Sequence, residues 1–125
     1  MNIALWIVAG VLAALFLMVG AAKAVKSKEQ FLADPRMAWA ENYPAGLITF
    51  IGVAEVLGAA GLILPGAFGI ATPLVGIATI ALAITMVGAI VVHVRRSEWQ
   101  SVVMNAVLLA LLVFVAVGRL GAYSF

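Results

Sequence analysis

Tyr43-Pro44-Ala45-Gly46-Leu47-Ile48-Thr49-Phe50-Ile51-Gly52-Val53-Ala54-Glu55-Val56-Leu57-Gly58-Ala59-Ala60-Gly61-Leu62-Ile63-Leu64 contains one charged side chain, Glu55. At about 1.5 Å per residue a helix over this stretch crosses the roughly 30 Å hydrocarbon core of a bilayer. A carboxylate near the centre of such a span costs about 2.5–3.5 kcal/mol on insertion scales. Gly52, Ala54, Gly58, Ala59 and Gly61 surround it. Small residues of this kind let neighbouring helices approach closely. The rest of the chain can be read as what surrounds and satisfies that carboxylate.

The whole sequence agrees with a membrane setting. Of its 125 residues, 66% are hydrophobic and 10% charged, against about 45–50% and 25% in soluble domains. That length accommodates four spans with short connections. The 7 Lys and Arg form no basic stripe interleaved with aromatics, so nucleic acid is not an expected partner. There is no cysteine and one histidine. Disulfides, thiol redox chemistry, iron–sulfur clusters and covalent haem are therefore excluded, as is a metal site built from several histidines. No metal and no covalent cofactor is expected.

The expected fold is all-α: a four-transmembrane-helix bundle forming a single domain over residues 1–125. The spans fall at about 3–25, 45–64, 73–93 and 99–120. Met1-Asn2-Ile3 lacks the basic start of a signal peptide, so the first apolar run is expected to be a retained span. Ser27 to Pro44 is the one long polar stretch. Ser27 with Glu29-Gln30, and Asp34-Pro35, resemble helix starts. Phe31, Leu32, Met37 and Trp39 give this segment an apolar side; Lys28, Glu29, Arg36 and Glu41 give it a charged one. Short interfacial helices are expected here, either a plain connector or an inward-folding lid. Pro65-Gly66 is a turn signal for the end of the second span. Thr72-Pro73 has the form of a cap and first residue for the third. Tyr123 and Phe125 are candidate interface anchors.

Spans 1 and 3 end on the same side. That side carries Lys23, Lys26, Lys28, Arg36, Arg95 and Arg96; the other carries Arg119. By the positive-inside rule the basic side is cytoplasmic. The expectation is a multi-pass protein of a bacterial-type cytoplasmic (inner) membrane, with both termini extracytoplasmic.

The polar residues within the spans are unevenly distributed. Counting about 1.5 Å per residue from the basic side, Glu55 lies roughly 15 Å deep, Thr85 about 12 Å, Asn105 about 9 Å and Thr49 about 6 Å. Intramembrane polar groups normally face the bundle interior or a cavity. A pocket in the cytoplasmic half, lined by Glu55, Thr85, Asn105 and Thr49, is the physical expectation. Lys23 is the natural cation for Glu55; the same counting makes their depths differ by about 10 Å, and a lysine tends to snorkel toward water, so both a direct ion pair and a plain interfacial anchor are open. Without a cation nearby, Glu55 would sit there as the neutral acid. His93 is placed at the mouth of the pocket, where it could shuttle a proton or bind a quinone carbonyl. For each residue a structural role competes: Glu55 and Asn105 as inter-helix hydrogen bonds, Lys23 and His93 as interfacial groups.

Gly20-Ala21-Ala22-Lys23 and Gly52-Val53-Ala54-Glu55-Val56-Leu57-Gly58-Ala59 resemble the G-x-x-K and G-x-x-E-x-x-G signatures of the DoxX-like family of small four-span membrane proteins. Pro65-Gly66, Met86-Val87-Gly88-Ala89 and the turn from His93 to Glu98 are similar to its layout. The family takes its name from a subunit of a terminal quinol oxidase, and related subunits serve thiosulfate:quinone oxidoreductases. Other members look like partners of enzymes of thiol and oxidative-stress chemistry. The resemblance implies a membrane subunit or scaffold of a quinone-linked redox system, with Lys23 and Glu55 as the residues carried over. The implied partners are the lipid bilayer, a redox partner subunit, a second copy in a homodimer, and a lipophilic small molecule such as a quinone or lipid.

Two other functions fit the residues. One is a stand-alone enzyme using acid–base chemistry on a lipophilic substrate, with Glu55 as acid and His93 or Lys23 as partner. The other is a small proton-coupled transporter, motivated by the midplane carboxylate.

Overall fold

The computed structural model describes the backbone of every residue except Asp34, Ala122 and Phe125, and the side chains of these and of Phe31, Pro35, Arg36 and Asn42 are not described. The cap expected at Asp34, the anchor expected at Phe125 and the side chains of Phe31 and Arg36 therefore lie outside the described residues. Among the described residues there are five α helices, one 3-10 helix and no strand. In chain order they are α1 (Asn2–Val25), α2 (Lys28–Leu32), the 3-10 helix (Pro35–Asn42), α3 (Ala45–Phe68), α4 (Leu74–Arg95) and α5 (Trp99–Leu120). The protein is all-α, and α1, α3, α4 and α5 are each long and apolar enough to cross a membrane.

The four long helices are apolar on all sides, as spans are, because lipid and core make the same demand. Ile3, Ile7, Met18, Phe50, Leu57, Ile84 and Val103 point outward. Leu12, Phe16, Leu62, Leu82, Met86 and Leu112 meet in the centre. α1 packs antiparallel on α3, α4 on α5, and α3 joins the two pairs.

Glycines set the spacing of the bundle. A Cβ at Gly52 would lie 2.6 Å from the Gly20 carbonyl oxygen and 2.6 Å from Lys23 Cβ. One at Gly20 would lie 2.8 Å from the Gly52 oxygen and 2.9 Å from Glu55 Cβ. Backbone thus touches backbone along the α1–α3 seam, as small residues allow. Gly58 receives Leu82 between α3 and α4, and Gly76 receives Leu120 between α4 and α5.

Local signals act as expected at α2. Ser27 N–H donates to Gln30 Oε1 (3.1 Å) and Gln30 N–H donates to Ser27 Oγ (3.2 Å), the reciprocal pattern of a capping box. The end of α3 and both ends of α4 differ from expectation. α3 runs through Pro65 to Phe68 and stops at Gly69, whose φ of 65° is left-handed. Proline removes only the bond its own N–H would make to Gly61, and a helix surrounded by lipid keeps its remaining backbone bonds at high cost of breaking them. The Ile70 N–H then closes the end on the Pro65 carbonyl at 3.1 Å. α4 begins at Leu74, with Pro73 in the cap position and no side-chain cap bond from it. Its other end extends to Arg95, two residues beyond the expected His93.

Candidate functional site

The α1–α3 seam carries a charge pair. Lys23 Nζ donates to Glu55 Oε1 at 2.6 Å, and the two side chains are 11% and 1% exposed. Of the two alternatives left open for Lys23, the structure has the direct ion pair, and the depth difference of about 10 Å is too large. Counting from helix ends failed because the two ends are not level. Gly52 faces Lys23, yet Gly52 is seven residues into α3 while Lys23 is two residues from the end of α1. α3 therefore starts several ångströms beyond the point where α1 stops. Gly20 and Lys23 are one turn apart, as are Gly52 and Glu55. In antiparallel packing each glycine makes room for the other helix, and each charge then lies beside its opposite.

The connecting segment folds over this pair. Ala40 is fully buried and packs with Ile48, with Leu32, Met37, Trp39 and Tyr43 around them. Lys28 Nζ donates to the carbonyls of Glu41 (3.0 Å) and Tyr43 (2.6 Å), tying the segment down. The indole of Trp39 comes to rest with its centroid 5.7 Å from Lys23 Nζ, within cation–π range. Of the two expectations for this segment, the structure has the inward-folding one.

His93 lies beyond the same indole, ring centroids 6.1 Å apart at 76°. It is buried, and its Nδ1 lies 2.8 Å from Glu98 Oε1. Arg96 Nε donates to that oxygen at 3.2 Å. Ser97, with φ of 56°, makes the tight turn that brings Glu98 back, and the Glu98 N–H bonds to the His93 carbonyl at 2.9 Å. The chain Glu55, Lys23, Trp39, His93, Glu98, Arg96 is thus continuous across the basic end of the bundle. Trp39 and Glu98 were not among the expected site residues. The sequence puts Trp39 on the apolar side of the connecting segment, and nothing in its neighbourhood points to Lys23 on the preceding span.

The other expected residues are placed separately. Thr85 is half-buried and its hydroxyl donates to Ala81 of its own helix at 3.0 Å. Thr49 is exposed. Asn105 is half-buried on the inward stripe shared with Leu108, Leu112 and Val115, and among the described residues it makes no hydrogen bond. No hydrogen bond joins these three to Glu55 among the described residues. At the opposite end Arg119 is buried, donating to Asn2 Oδ1 (2.6 Å) and to the Tyr123 carbonyl (2.9 Å), with its guanidinium 5.5 Å from the Trp6 ring.

Four apolar spans around an internal charge pair define a multi-pass integral membrane protein. The lysine and glutamate of the pair stand three residues after Gly20 and Gly52. The chain is a member of the DoxX-like family, whose sequence profile matches residues 7–115. No curated protein and no solved structure matches the chain.

Proposed function

We propose that this protein is a membrane subunit or scaffold of a quinone-linked redox system, holding a lipophilic ligand at its basic end beside the Lys23–Glu55 pair. The observation that carries the proposal is the position of that pair, buried in the α1–α3 seam and covered by Trp39. A ligand with a flat ring and a carbonyl oxygen matches these groups. Lys23 has three N–H donors and uses one on Glu55. Trp39 offers an aromatic edge and His93 a second one. Glu55 holds the ammonium in place, and the apolar spans admit a prenyl tail. The chain has no cysteine, and its residues supply binding and orientation while electron transfer falls to a partner subunit. In this reading the basic end is cytoplasmic and both termini are extracytoplasmic, since Lys and Arg concentrate at one end.

The test is saturable binding of decylubiquinone to the protein in nanodiscs, combined with native mass spectrometry of the mildly purified protein for quinone and partner. Binding should be saturable in the wild type, lost in Glu55→Gln and weakened in Trp39→Ala. Uptake that is linear with concentration and equal in wild type and Glu55→Gln refutes the proposal. A second reading, a stand-alone acid–base enzyme, is favoured by the direct Lys23–Glu55 contact with His93 across the indole. It requires turnover by the purified protein alone, with a pH profile that changes in Glu55→Gln.

A further inference from the structure

The pair that carries the functional reading is closed off. The side chains of Lys23 and Glu55 are 11% and 1% exposed, and the centroid of the Trp39 ring lies 5.7 Å from the ammonium. A ligand carbonyl that accepts from Lys23 needs room that the indole takes up. The quinone-linked reading, on which this inference rests for its ligand, therefore requires the connecting segment to move.

The segment is built to move as one piece. Leu32, Met37, Trp39, Ala40 and Tyr43 pack together on Ile48 of α3, in a cluster separate from the main core of the bundle. Lys28, at the start of the segment, donates to the Glu41 and Tyr43 carbonyls at its end. One side chain thus closes the neck of residues 28–43, in the manner of an Ω-loop. The neck lies between two exposed residues with extended backbone, Lys26 (ψ 142°) and Pro44 (ψ 146°). Positions of this kind, at the ends of elements, are where hinge rotation is absorbed. Among the described residues no backbone hydrogen bond ties 28–43 to a long helix. Side chains hold it down: Trp39 against Lys23 and His93, and Ala40 against Ile48.

We propose that residues 28–43 form a lid that opens as a unit to admit the ligand to Lys23. Trp39 is its plug. Lys28 is the clasp that keeps the loop in the shape that seats the plug. With the clasp intact, little conformational entropy is lost each time the lid closes. Without it the loop must be ordered on every closure, and the closed state is weakened. Lys28 touches neither Lys23 nor Glu55 among the described residues, so it governs access rather than affinity. Ligand entry and ligand exit both require the lid to open, and both should respond to the clasp together.

The test uses the full chain in nanodiscs with Trp6→Phe and Trp99→Phe, which leaves Trp39 as its one tryptophan. Without ligand, acrylamide in the water phase should quench Trp39 weakly. Lys28→Met should raise the quenching constant by about threefold or more, Lys28→Gln should do so less, and Lys28→Arg, which keeps the donors, should restore the low value. In stopped flow, quenching of Trp39 by decylubiquinone should reach a plateau rate as concentration rises, because opening precedes binding. Lys28→Met should raise that plateau and the dissociation rate each by about tenfold and change the affinity by less than about threefold. Equal acrylamide quenching in wild type and Lys28→Met overturns the lid, whatever decylubiquinone does. So does a binding rate that shows no plateau and is the same in both proteins. Acrylamide results as expected with no saturable binding of decylubiquinone support the lid and refute the quinone-linked reading alone.

Discussion

Removing Lys23 alone should damage this protein more than removing Lys23 and Glu55 together. Glu55 is 1% exposed in a seam where backbone touches backbone. Lys23→Met takes away its ammonium and leaves a carboxyl group that cannot reach water or the basic end. Breaking a buried pair from one side typically costs about 3–5 kcal/mol. Glu55→Gln leaves a lysine that is 11% exposed and near the end of α1. Its stem can snorkel past Trp39, so a cost of about 1–3 kcal/mol is expected. The double variant Lys23→Met, Glu55→Gln leaves no buried charge and should lie within about 1–2 kcal/mol of the wild type. The coupling energy should then be at least about 2 kcal/mol, well above the 0.3–0.5 kcal/mol within which unrelated sites add. The assay is reversible unfolding of the four proteins by SDS titration in mixed micelles, followed by tryptophan fluorescence. Additive single costs, or a Lys23→Met cost below about 1 kcal/mol, would refute the claim that the pair is formed and buried in the membrane-embedded protein.

Other outcomes follow from the same packing. Gly52→Ala should destabilise by about 1–3 kcal/mol in that assay, because its Cβ meets the Gly20 backbone, whereas Gly88→Ala, which meets nothing within 4 Å, should be neutral or slightly stabilising. Equal effects at the two positions would show that the α1–α3 seam is not this close. Trp39→Ala should cost about 1–3 kcal/mol and speed amide hydrogen exchange across the 3-10 helix, with exchange in α5 unchanged; protection that is unaltered in residues 35–42 would show that Trp39 does not hold the segment down. Alkaline phosphatase fused at either terminus should be active and a fusion at Ser97 inactive, since six of the seven Lys and Arg lie at the Ser97 end. The reverse pattern would invert the proposed orientation.

Much of the fold was legible because bilayer spans are a composition signal. Runs of about 20 apolar residues, loop charges and Ser27 with Gln30 suffice to place four spans and the start of α2. The end of α3 was not legible in that way. Pro65 weakens a helix in water, where freed carbonyls find solvent, but in lipid the helix continues to Gly69. The Lys23–Glu55 pair was legible in part. Both residues stand out as charges in apolar runs. Their contact depends on the stagger of α1 against α3, which side-chain periodicity does not encode. A usable signal was present in the equal spacings Gly20 to Lys23 and Gly52 to Glu55. Two antiparallel helices that touch at glycines bring such positions into register. The role of Trp39 was hidden for a different reason: its partners come from α1 and α4, and they become neighbours only after the bundle has closed.

Trp39 gives the two polar pairs a common dependence on one segment. Lys23–Glu55 joins α1 to α3, and His93–Glu98 closes the turn between α4 and α5. The indole touches Lys23 on one side and His93 on the other. While the segment is down, water is kept from the Lys23–Glu55 pair, and charges attract more strongly in a low-dielectric setting than beside water. The attraction within the Lys23–Glu55 pair is thus strengthened by the cover that Trp39 maintains. Lifting the 3-10 helix would expose Lys23 and weaken its hold on Glu55 at the same time. It would also relieve the desolvation that makes the buried pair costly. These two effects have opposite signs, so opening the segment costs less than the strength of the Lys23–Glu55 contact alone would suggest. A ligand that replaced the indole beside Lys23 would gain from the same compensation. If the proposed ligand binds there, its binding would be linked to movement of the 3-10 helix through that compensation.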